Sequence, residues 1–546
     1  MNTRRMPLIL MILMVAFFWA AFDSTVACAS DIYIAQVTAG GSTGADCADA
    51  YAYTWFNNAS NWGSKSGQVG PGTTVHLCGT ISSALAAHGS GTSGNPITIL
   101  FDSATSGQLT APALPATGAL VLSGYNYITV NGGGTGIIQS TNNGSPASLC
   151  SGSSYANDIS SVAILANNSN NLTVENLKIG PLYTHVCTAD DSSSHSALSP
   201  PGPVCVQFGG DNVTITGNVM HDAAWCLFGS GNNLNIGGNT IYNFDHGLGM
   251  GIDSASGSLS GVYFYKNTLY GANVWDTDDN SFHHDGIHLW AYCASGSGYC
   301  PNTTITNAYV YDNVFEGNWG NNINAPVFLE ENIGTVWVFN NFFNGSSMIG
   351  WGTGLCNCNA QTLYAYNNTL LGFSNSDNIP GAMNLNNAIG TVENNIILTA
   401  DTLISTTSPW LNGSASSETL SHNLYANGGV NSFVWCPPSG GSCDFYKSTQ
   451  FSSWVSSSGD TNSNYISSVS GIINSDGTLP SASPAKGVGV NLYSLCNGQP
   501  TPGLGALCQD AAGNQRLSSG AWNLGAFDLP SLHPGAPANL SGSVQQ

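Results

Sequence analysis

The densest group of ionisable side chains in this sequence combines carboxylates with imidazoles. It comprises Asp245, His246, His283, His284, Asp285 and His288. Enzymes commonly use these side chains as general acids and bases, and imidazole titrates near neutral pH. The group therefore predicts proton-transfer chemistry, in which one side chain protonates a leaving atom while another activates water.

Two glycines suggest how the parts of this group meet. Each adjacent carboxylate and imidazole is followed by a glycine, at Gly247 and at Gly286. If the two glycines lie side by side, the resulting pairs are Asp245 with His284 and His246 with Asp285. Neighbouring parallel strands lie about 4.8 Å apart, so both pairs come within hydrogen-bonding reach.

We expect Asp285 and Asp245 to form the acid/base pair, with His246 and His284 adjusting their pKa values and Glu330 as a reserve carboxylate. Carboxylates one turn apart approach the ~5 Å separation of retaining glycosidases, and two turns apart they approach that of inverting ones. The alternative is that these polar residues form solvent-side ladders without catalytic function.

Substrate and metal contacts can be assigned around the same group. The candidates for substrate binding are His283, His288, Trp290 and Lys266, because an indole can stack on the apolar face of a sugar. The acidic stretch that contains Asp276, Asp278 and Asp279 could bind Ca²⁺ through its carboxylates. A solvated acidic loop without a metal is the alternative interpretation.

Short strands must position these residues, because a five-residue alternating phrase that ends in Asn recurs through the middle of the chain. Its copies end at Asn218, Asn239, Asn267, Asn313, Asn341 and Asn368, with a looser copy at Asn395. Alternating apolar and polar residues indicate strands, and regular repetition indicates a coil of stacked parallel strands. The recurring Asn can form an internal ladder. The long interval between Asn267 and Asn313 is expected to hold about two turns.

With these repeats the chain resembles the right-handed parallel β-helix proteins of the pectate-lyase-like superfamily. The phrases at 71–78 and 89–100 resemble the opening of such helices, and those at 483–489 and 524–527 resemble their closing turns. The resemblance implies an all-β, single right-handed parallel β-helix and extracellular carbohydrate chemistry. It does not distinguish lyases, hydrolases and binding proteins, which share this architecture.

We expect five segments along the chain. They are a signal peptide at 1–30, an N-terminal cap and first turns at 31–160, the repeat region at 161–480, closing turns at 481–528 and a loose tail at 529–546. Arg4 and Arg5 precede an apolar run and a small-residue cleavage site, which is typical of an exported protein. An uncleaved membrane anchor, or a lipid anchor at Cys28, is the alternative.

The cysteines also suggest an oxidising compartment, because fourteen of the fifteen follow Cys28, an even number that can form disulfides. The expected local disulfides are Cys47–Cys78, Cys293–Cys300, Cys436–Cys443 and Cys496–Cys508. A zinc site is the alternative use of cysteine, and Cys356 with Cys358 is the closest approach to a ligand pair. These features predict a secreted or cell-surface protein.

Composition excludes several classes of function. The chain has 8 Lys and Arg against 30 Asp and Glu, a net charge of −22 and only 7% charged residues. This balance argues against nucleic acid or an anionic membrane as a partner, and so few charged helix formers argue against helical bundles. The partner that we expect is an extracellular polysaccharide.

A glycoside hydrolase acting on a neutral or weakly charged glycan is the expected activity. A calcium-assisted polysaccharide lyase that uses Lys266 or a histidine as its base is the alternative enzyme, although the sequence contains no Arg between Arg5 and Arg516 to support it. A non-catalytic surface adhesin or glycan-binding protein is the alternative from another class. No cofactor other than Ca²⁺ is suggested.

Overall fold

The structure, a computed structural model, describes most of the chain beyond residue 30. The described residues are 31–145, 157–185, 202–253, 257–275, 284–292, 303–320, 323–331, 334–345, 349–351, 361–373, 382–385, 388–400, 404–407, 419–428, 432–436 and 444–528. The expected signal peptide at 1–30 and tail at 529–546 lie outside them. No helix among the described residues is long and apolar enough to cross a membrane.

Parallel strands stack one turn upon the next and form a parallel β-helix, as the repeats predicted. Parallel crossovers are right-handed in nearly all proteins. The first sheet is formed by Tyr51–Ala52, Asp31–Ala35, Thr74–Cys78, Ile97–Leu100, Ile128–Asn131, Leu172–Glu175, Thr214–Thr216, Leu234–Gly237, Gly257–Tyr265, Thr303–Tyr311, Thr335–Phe339, Gln361–Tyr366, Ala388–Glu393 and Thr419–Ser421.

The second sheet contains two rows of strands. The first row is Thr80–Ile81, Gln108–Ala111, Ile137–Ser140, Lys178–Ile179, Val219–Ser230, Thr240–Asp253, Thr268–Tyr270, Val314–Gly317, Phe342–Gly345, Thr369–Phe373, Ile396–Ala400, Leu424–Gly428 and Asn464–Ile466. The second row is Leu85–Ala86, Leu120–Val121, Val162–Ala166, Val204–Gly209, Val219–Ser230 and Thr240–Asp253 again, His284–Tyr292, Ile323–Glu331, Ile349–Trp351, Met383–Leu385, Ile404–Thr407, Phe433–Cys436 and Asp444–Tyr446.

The strands Val219–Ser230 and Thr240–Asp253 belong to both rows. They have 12 and 14 residues. The start of each pairs with a strand of the first row, and its later part pairs with a strand of the second row. In the neighbouring turns the two rows are separate strands. The expected proton-transfer group therefore lies where two turns of the coil replace a corner with continuous strand.

Apolar residues at alternate strand positions fill the interior of the coil. In the first sheet they form stacked pairs, all buried, at Leu172 and Val174, Val213 and Ile215, Leu234 and Ile236, Val262 and Phe264, Ala308 and Val310, and Val336 and Val338. The register of the parallel ladder places each pair directly above the last. This stacking explains why five-residue alternation recurs at the spacing of one turn.

A buried Asn ladder follows the first sheet along the axis. Its members are Asn218, Asn239, Asn267, Asn313, Asn341, Asn368, Asn395 and Asn423. Each main-chain N–H and side-chain Nδ2 donates to Oδ1 of the next member at 2.9–3.1 Å. Asn423, which the repeat pattern did not include, ends the ladder by donating to Ser463 Oγ at 2.9 Å.

The residue before each ladder Asn turns the chain out of the first sheet with a left-handed backbone. These residues are Gly217, Gly238, Lys266, Asp312, Asn340, Asn367, Asn394 and His422, with φ between 52° and 68°. Gly and Asn adopt this conformation most readily, which accounts for the recurring Gly-Asn and Asn-Asn dipeptides. The ladder Asn then satisfies the polar backbone groups that the sharp corner buries.

The long interval between Asn267 and Asn313 was expected to hold about two turns, and this prediction was wrong. Asn267 Nδ2 donates directly to Asn313 Oδ1 at 3.1 Å, and Gly257–Tyr265 pairs with Thr303–Tyr311. The interval is therefore one turn. Its additional residues include 276–283 and 293–302, which lie outside the described ranges.

The helices among the described residues are short. The α-helices are Tyr53–Phe56, Phe451–Ser458 and Tyr493–Cys496, and the 3-10 helices are Cys47–Asp49, Ala59–Asn61, Ala272–Trp275, Ser448–Gln450 and Leu504–Cys508. Phe56 packs against the N-terminal end of the core, and Trp454 packs against Phe433 at the C-terminal end. A small parallel pair, Gly144–Ser145 with Thr184–His185, lies beside the main sheets.

The segment 481–528, expected to form closing turns, lies along the outside of the coil. Its backbone carbonyls at Gln509, Asn523 and Val490 accept hydrogen bonds from the amides of Asn340, Asn367 and Asn394, in three different turns. The polar left-handed corners favour this arrangement, because their side-chain amides face outward and need acceptors. Disulfides join Cys47 to Cys78 and, within this segment, Cys496 to Cys508.

Candidate functional site

Five of the six residues of the expected proton-transfer group, all except His283, lie on the strands Thr240–Asp253 and His284–Tyr292. These strands pair in parallel, with His246 opposite Asp285, which is the register that the two glycines suggested. The side chains lie on the outer side of the sheet, because His246 stacks on Trp225. Trp225 belongs to a separate apolar cluster with Val204 and Trp275, not to the interior core.

Four contacts link the carboxylates and imidazoles into one chain. Asp245 Oδ2 accepts from His246 Nδ1 at 2.7 Å, and Asp245 Oδ1 lies 3.2 Å from His284 Nδ1. His246 Nε2 lies 3.2 Å from Asp285 Oδ2, and the same oxygen lies 3.3 Å from His288 Nδ1. Asp245, His246, Asp285 and His288 therefore form an alternating carboxylate–imidazole chain, with His284 attached to Asp245.

A β-bulge helps to aim the carboxylate in the middle of this chain. The register between His284–Tyr292 and Ile323–Glu331 shifts between His284 and Asp285, so that His284 pairs with Ile323 and Asp285 with Ala325. The main-chain N–H of Ala325 donates to Asp285 Oδ1 at 3.3 Å. Bulges are common beside functional sites because they redirect a side chain out of the regular pleat.

The charges in the chain stabilise one another. Burial alone would raise the pKa of Asp245, but the charge and hydrogen bond of His246, followed by those of His284, lower it to about 2. Burial would lower the pKa of His246, but Asp245 and then Asp285 raise it to about 9. At neutral pH His246 is therefore an imidazolium held between two carboxylates.

Aromatic rings cover the chain on the outer side of the sheet. The Trp225 ring stacks on His246 with centroids 3.8 Å apart, and its edge faces Trp290 at 6.2 Å. Phe228 lies 6.3 Å from Trp290, and His288 lies 5.0 Å from the same indole. The outer edge of the proton-transfer chain is therefore an aromatic surface.

Two glycines allow the indoles to lie flat on the sheet. A Cβ atom at Gly249 would overlap the Trp225 ring, and one at Gly251 would overlap the Trp290 ring. Gly247 had served only to align the strands, and the role of Gly249 and Gly251 was not predicted from the sequence. The alternating glycines from Gly247 to Gly251 were the available signal, because a glycine in a strand marks close approach of another group.

Exposure decreases from His288 inwards. The side chain of His288 is 11% exposed, that of His246 5%, and those of His284 and Asp285 are fully buried. Trp290 and Phe228 are half-buried beside His288. A ligand on the outer face would therefore meet the two aromatic rings and His288, with the remainder of the chain behind them.

The other predicted site residues are placed as follows. The backbone of Glu330 pairs with that of Trp290 on the next turn. Lys266 does not join the carboxylate–imidazole chain. It lies at a left-handed corner after the first sheet, where burial raises the pKa of Asp312 and the charge of Lys266 partly opposes that rise. Within the described residues, the cluster itself contains no Lys or Arg side chain.

Several predicted residues lie outside the described part of the chain. They are His283, the candidate calcium ligands Asp276, Asp278 and Asp279, the cysteines Cys293, Cys300 and Cys443, and the candidate zinc ligands Cys356 and Cys358. The side chain of Cys436 also falls outside. Cys205 and Cys226 are described, and both are buried free cysteines in the core.

A second carboxylate–imidazole pair occupies the preceding turn. His221 Nδ1 lies 2.6 Å from Asp222 Oδ2, and the His221 ring stacks on Tyr242 at 4.6 Å. Burial, together with the charge of Asp222, raises the pKa of Tyr242 to about 12. This pair has the same components as the site but does not connect to Asp245 or Asp285 through any contact that the described residues show.

Three atoms of the chain are arranged as cation ligands could be. His246 Nε2, His288 Nδ1 and one carboxylate oxygen of Asp285 all lie within 4.8 Å of one another. Two imidazoles and a carboxylate are a ligand set that proteins use for transition-metal ions. The site can therefore either move protons or bind a cation, and the two uses engage the same atoms.

No protein-family model and no curated protein matches this sequence. Among solved structures, the chain is similar to a GH136 lacto-N-biosidase from Eubacterium ramulus, with 12% identity and a TM-score of 0.42 over 75% of this chain and 65% of that one. It therefore spans just under two thirds of that protein. An alginate lyase from Paenibacillus has 12% identity and a TM-score of 0.27 (74% and 98% of the two chains). An exopolygalacturonase from Thermotoga maritima has 8% identity and a TM-score of 0.31, over 70% of this chain and 87% of that one.

Proposed function

We propose that the chain is a secreted enzyme that hydrolyses glycosidic bonds in a neutral or weakly charged extracellular glycan. The observation that carries this proposal is the Asp245–His246–Asp285–His288 chain beside the half-buried rings of Trp290 and Phe228. Aromatic rings bind the apolar faces of sugars, and a connected carboxylate–imidazole chain supplies protons at a fixed position.

The two aspartates do not act as a facing acid/base pair in this proposal. The His246 ring occupies the space between them, and the low pKa of Asp245 keeps that carboxylate ionised at neutral pH. A sugar cannot enter between two carboxylates that an imidazole already bridges. Asp245 and Asp285 instead orient imidazoles, as a buried aspartate does in a catalytic triad.

His288 is the catalytic residue that we assign to contact the substrate. Its Nδ1 faces Asp285 Oδ2 at 3.3 Å, and we assign its Nε2 to exchange a proton with the glycosidic oxygen. The charged ring of His246, which Asp245 positions, contacts Asp285 and balances its negative charge. We assign Glu330, whose backbone pairs with that of Trp290, as the carboxylate that activates water.

The charge distribution favours a glycan without carboxylates. The chain carries a net charge of −22, and Lys266, the cation expected to serve a lyase, lies at another corner of the coil. Elimination from a polyuronate needs a positive charge to neutralise the carboxylate beside the abstracted proton. The positive charge of His246 is already engaged by two aspartates.

The test is turnover of a panel of neutral glycans and polyuronates by the purified full-length protein, with Asp285→Asn as the inactive variant and Asp222→Asn as its matched control. New reducing ends that Asp285→Asn fails to release support hydrolysis. Unsaturated products that absorb in the ultraviolet would identify a lyase instead. Glycan binding without turnover by the wild type would identify a binding protein and contradict the proposal.

A further inference from the structure

We propose that His246, Asp285 and His288 form a binding site for a divalent transition-metal cation of the Zn²⁺ class. The ligand atoms are His246 Nε2, Asp285 Oδ2 and His288 Nδ1. The proposal concerns the same side chains as the proposed hydrolysis, but it rests on their geometry. It does not depend on whether the chain cleaves glycans.

Two of the three separations match those between metal ligands, and all three atoms lie within 4.8 Å of one another. Asp285 Oδ2 lies 3.2 Å from His246 Nε2 and 3.3 Å from His288 Nδ1. Four ligands around a tetrahedral zinc, each about 2.0–2.1 Å from the metal, are separated from one another by about 3.3 Å. Hydrogen bonds between a carboxylate and an imidazolium are about 2.7–2.9 Å, which is the length of the Asp245–His246 contact.

The groups behind the ligands hold them in the orientation that a metal needs. Asp245 accepts the Nδ1–H of His246 at 2.7 Å, so a metal ion that displaces the proton of Nε2 would meet the lone pair of that nitrogen, which faces Asp285. The main-chain N–H of Ala325 donates to Asp285 Oδ1 and fixes the rotation of that carboxylate. A carboxylate behind a ligating histidine is a recurrent feature of protein metal sites.

The ligand types select against calcium. Ca²⁺ takes six to eight oxygen ligands, whereas this site offers two imidazole nitrogens and one carboxylate oxygen. Imidazole favours Zn²⁺ and its neighbours in the first transition row. The site therefore differs in chemistry from the acidic stretch at 276–279, for which calcium binding is one of the two interpretations of the sequence.

Cation binding and proton transfer exclude each other at these atoms. His246 Nε2 and His288 Nδ1 can each hold either a proton or a metal ion, and Asp285 Oδ2 serves both arrangements. The occupied site would no longer contain the proton chain. Zinc is therefore expected to inhibit the proposed hydrolysis, and a chelator is expected to restore it.

The experiment is a calorimetric titration of the full-length protein with Zn²⁺ after treatment with a chelator and dialysis. One Zn²⁺ per chain is expected, and Co²⁺ at the same site should give visible absorption bands of a tetrahedral complex. Asp285→Asn and His288→Gln should each lower the affinity at least about 100-fold. Asp245→Asn, which removes the support of a ligand, should lower it about 10- to 100-fold.

His221→Gln is the matched control, because it removes an imidazole that pairs with a carboxylate on the preceding turn. It should bind Zn²⁺ as the wild type does, and circular dichroism of each variant verifies that it is folded. Wild-type affinity equal to that of His288→Gln, or displacement of Zn²⁺ by an equal concentration of Ca²⁺, would overturn the proposal.

Failure of the metal site and failure of the proposed function give different results. If Zn²⁺ does not bind and glycan turnover persists, the metal site falls and the hydrolysis stands. If Zn²⁺ binds and turnover requires it, the metal site stands and the metal-free proton transfer falls. Co²⁺ absorption and calorimetry report on the site in the absence of any glycan.

Discussion

Asp245 accepts a 2.7 Å hydrogen bond from Nδ1 of His246, its neighbour in sequence, and the other nitrogen of that ring faces Asp285 on the next turn. Adjacent residues of a regular strand point to opposite faces of a sheet. In this pair both side chains belong to one network, so the backbone here departs from a simple pleat. The departure occurs in the long strand that spans both rows of the second sheet.

Asp245→Asn should lower kcat about 100-fold and leave KM within about twofold, because Asp245 orients His246 without reaching the outer face. Steady-state kinetics on the glycan that the wild type cleaves will measure both constants. Asp222→Asn, which alters the carboxylate–imidazole pair of the preceding turn, should retain wild-type kinetics. A rise in KM alone would contradict the positioning role.

Trp290→Ala should raise KM about tenfold with little change in kcat, since the indole lies beside His288 and offers a flat apolar surface for a sugar. The matched control is Trp337→Ala, which removes a half-buried indole that stacks on Tyr364 in the first sheet. If both variants raise KM equally, the effect comes from loss of stability and not from loss of a sugar contact.

Asn313→Ala should lower the free energy of unfolding by about 2–5 kcal/mol, because it leaves the main-chain N–H and the Nδ2 of Asn267 buried without their acceptor. Chemical denaturation will give the value. Asn318→Ala changes an exposed amide a few residues away and should cost less than about 1 kcal/mol. Equal costs for the two variants would show that the ladder does not stabilise the coil.

Asp312→Asn should stabilise the protein at pH 8 and have little effect at pH 4. Burial raises the pKa of Asp312 to about 7, although the amide of Asn340 and the charges of Lys266 and Arg516 oppose the shift. The native state therefore binds more protons than the unfolded chain between about pH 4 and 7, and stability decreases as pH rises through that window.

The difference in unfolding free energy between Asp312→Asn and the wild type should grow to at most about 4 kcal/mol above pH 7. Asn is compatible with the left-handed backbone at this position, where φ is 55°. Thermal unfolding from pH 4 to pH 8 will follow the difference. A difference that does not change with pH would mean that Asp312 is ionised throughout the native pH range.

The fold could be predicted largely from residues such as Asn239 and Asn267, because a ladder Asn and the alternating strand before it recur once per turn. The pairing of His246 with Asp285 could be predicted as well, since glycines mark equivalent positions of neighbouring turns. Both predictions rest on local patterns that the stacking of turns repeats.

Other features depend on long-range packing and left little trace in the sequence. The single turn between Asn267 and Asn313 contains insertions whose length does not reveal whether they continue the coil. The bridging of two aspartates by His246 follows from side-chain geometry at a β-bulge, which no spacing indicates. The contact of Gln509 with Asn340 joins residues far apart in the chain.

The path of segment 481–528 has a consequence for the order of folding. Its acceptors Gln509, Asn523 and Val490 bind corners of three successive turns, so it can dock only after those turns have stacked. During synthesis the segment emerges after the turns that it contacts. Once docked, the segment is hydrogen-bonded to three turns at once. These turns can then no longer unfold one at a time, as they could if each turn contacted only its neighbours.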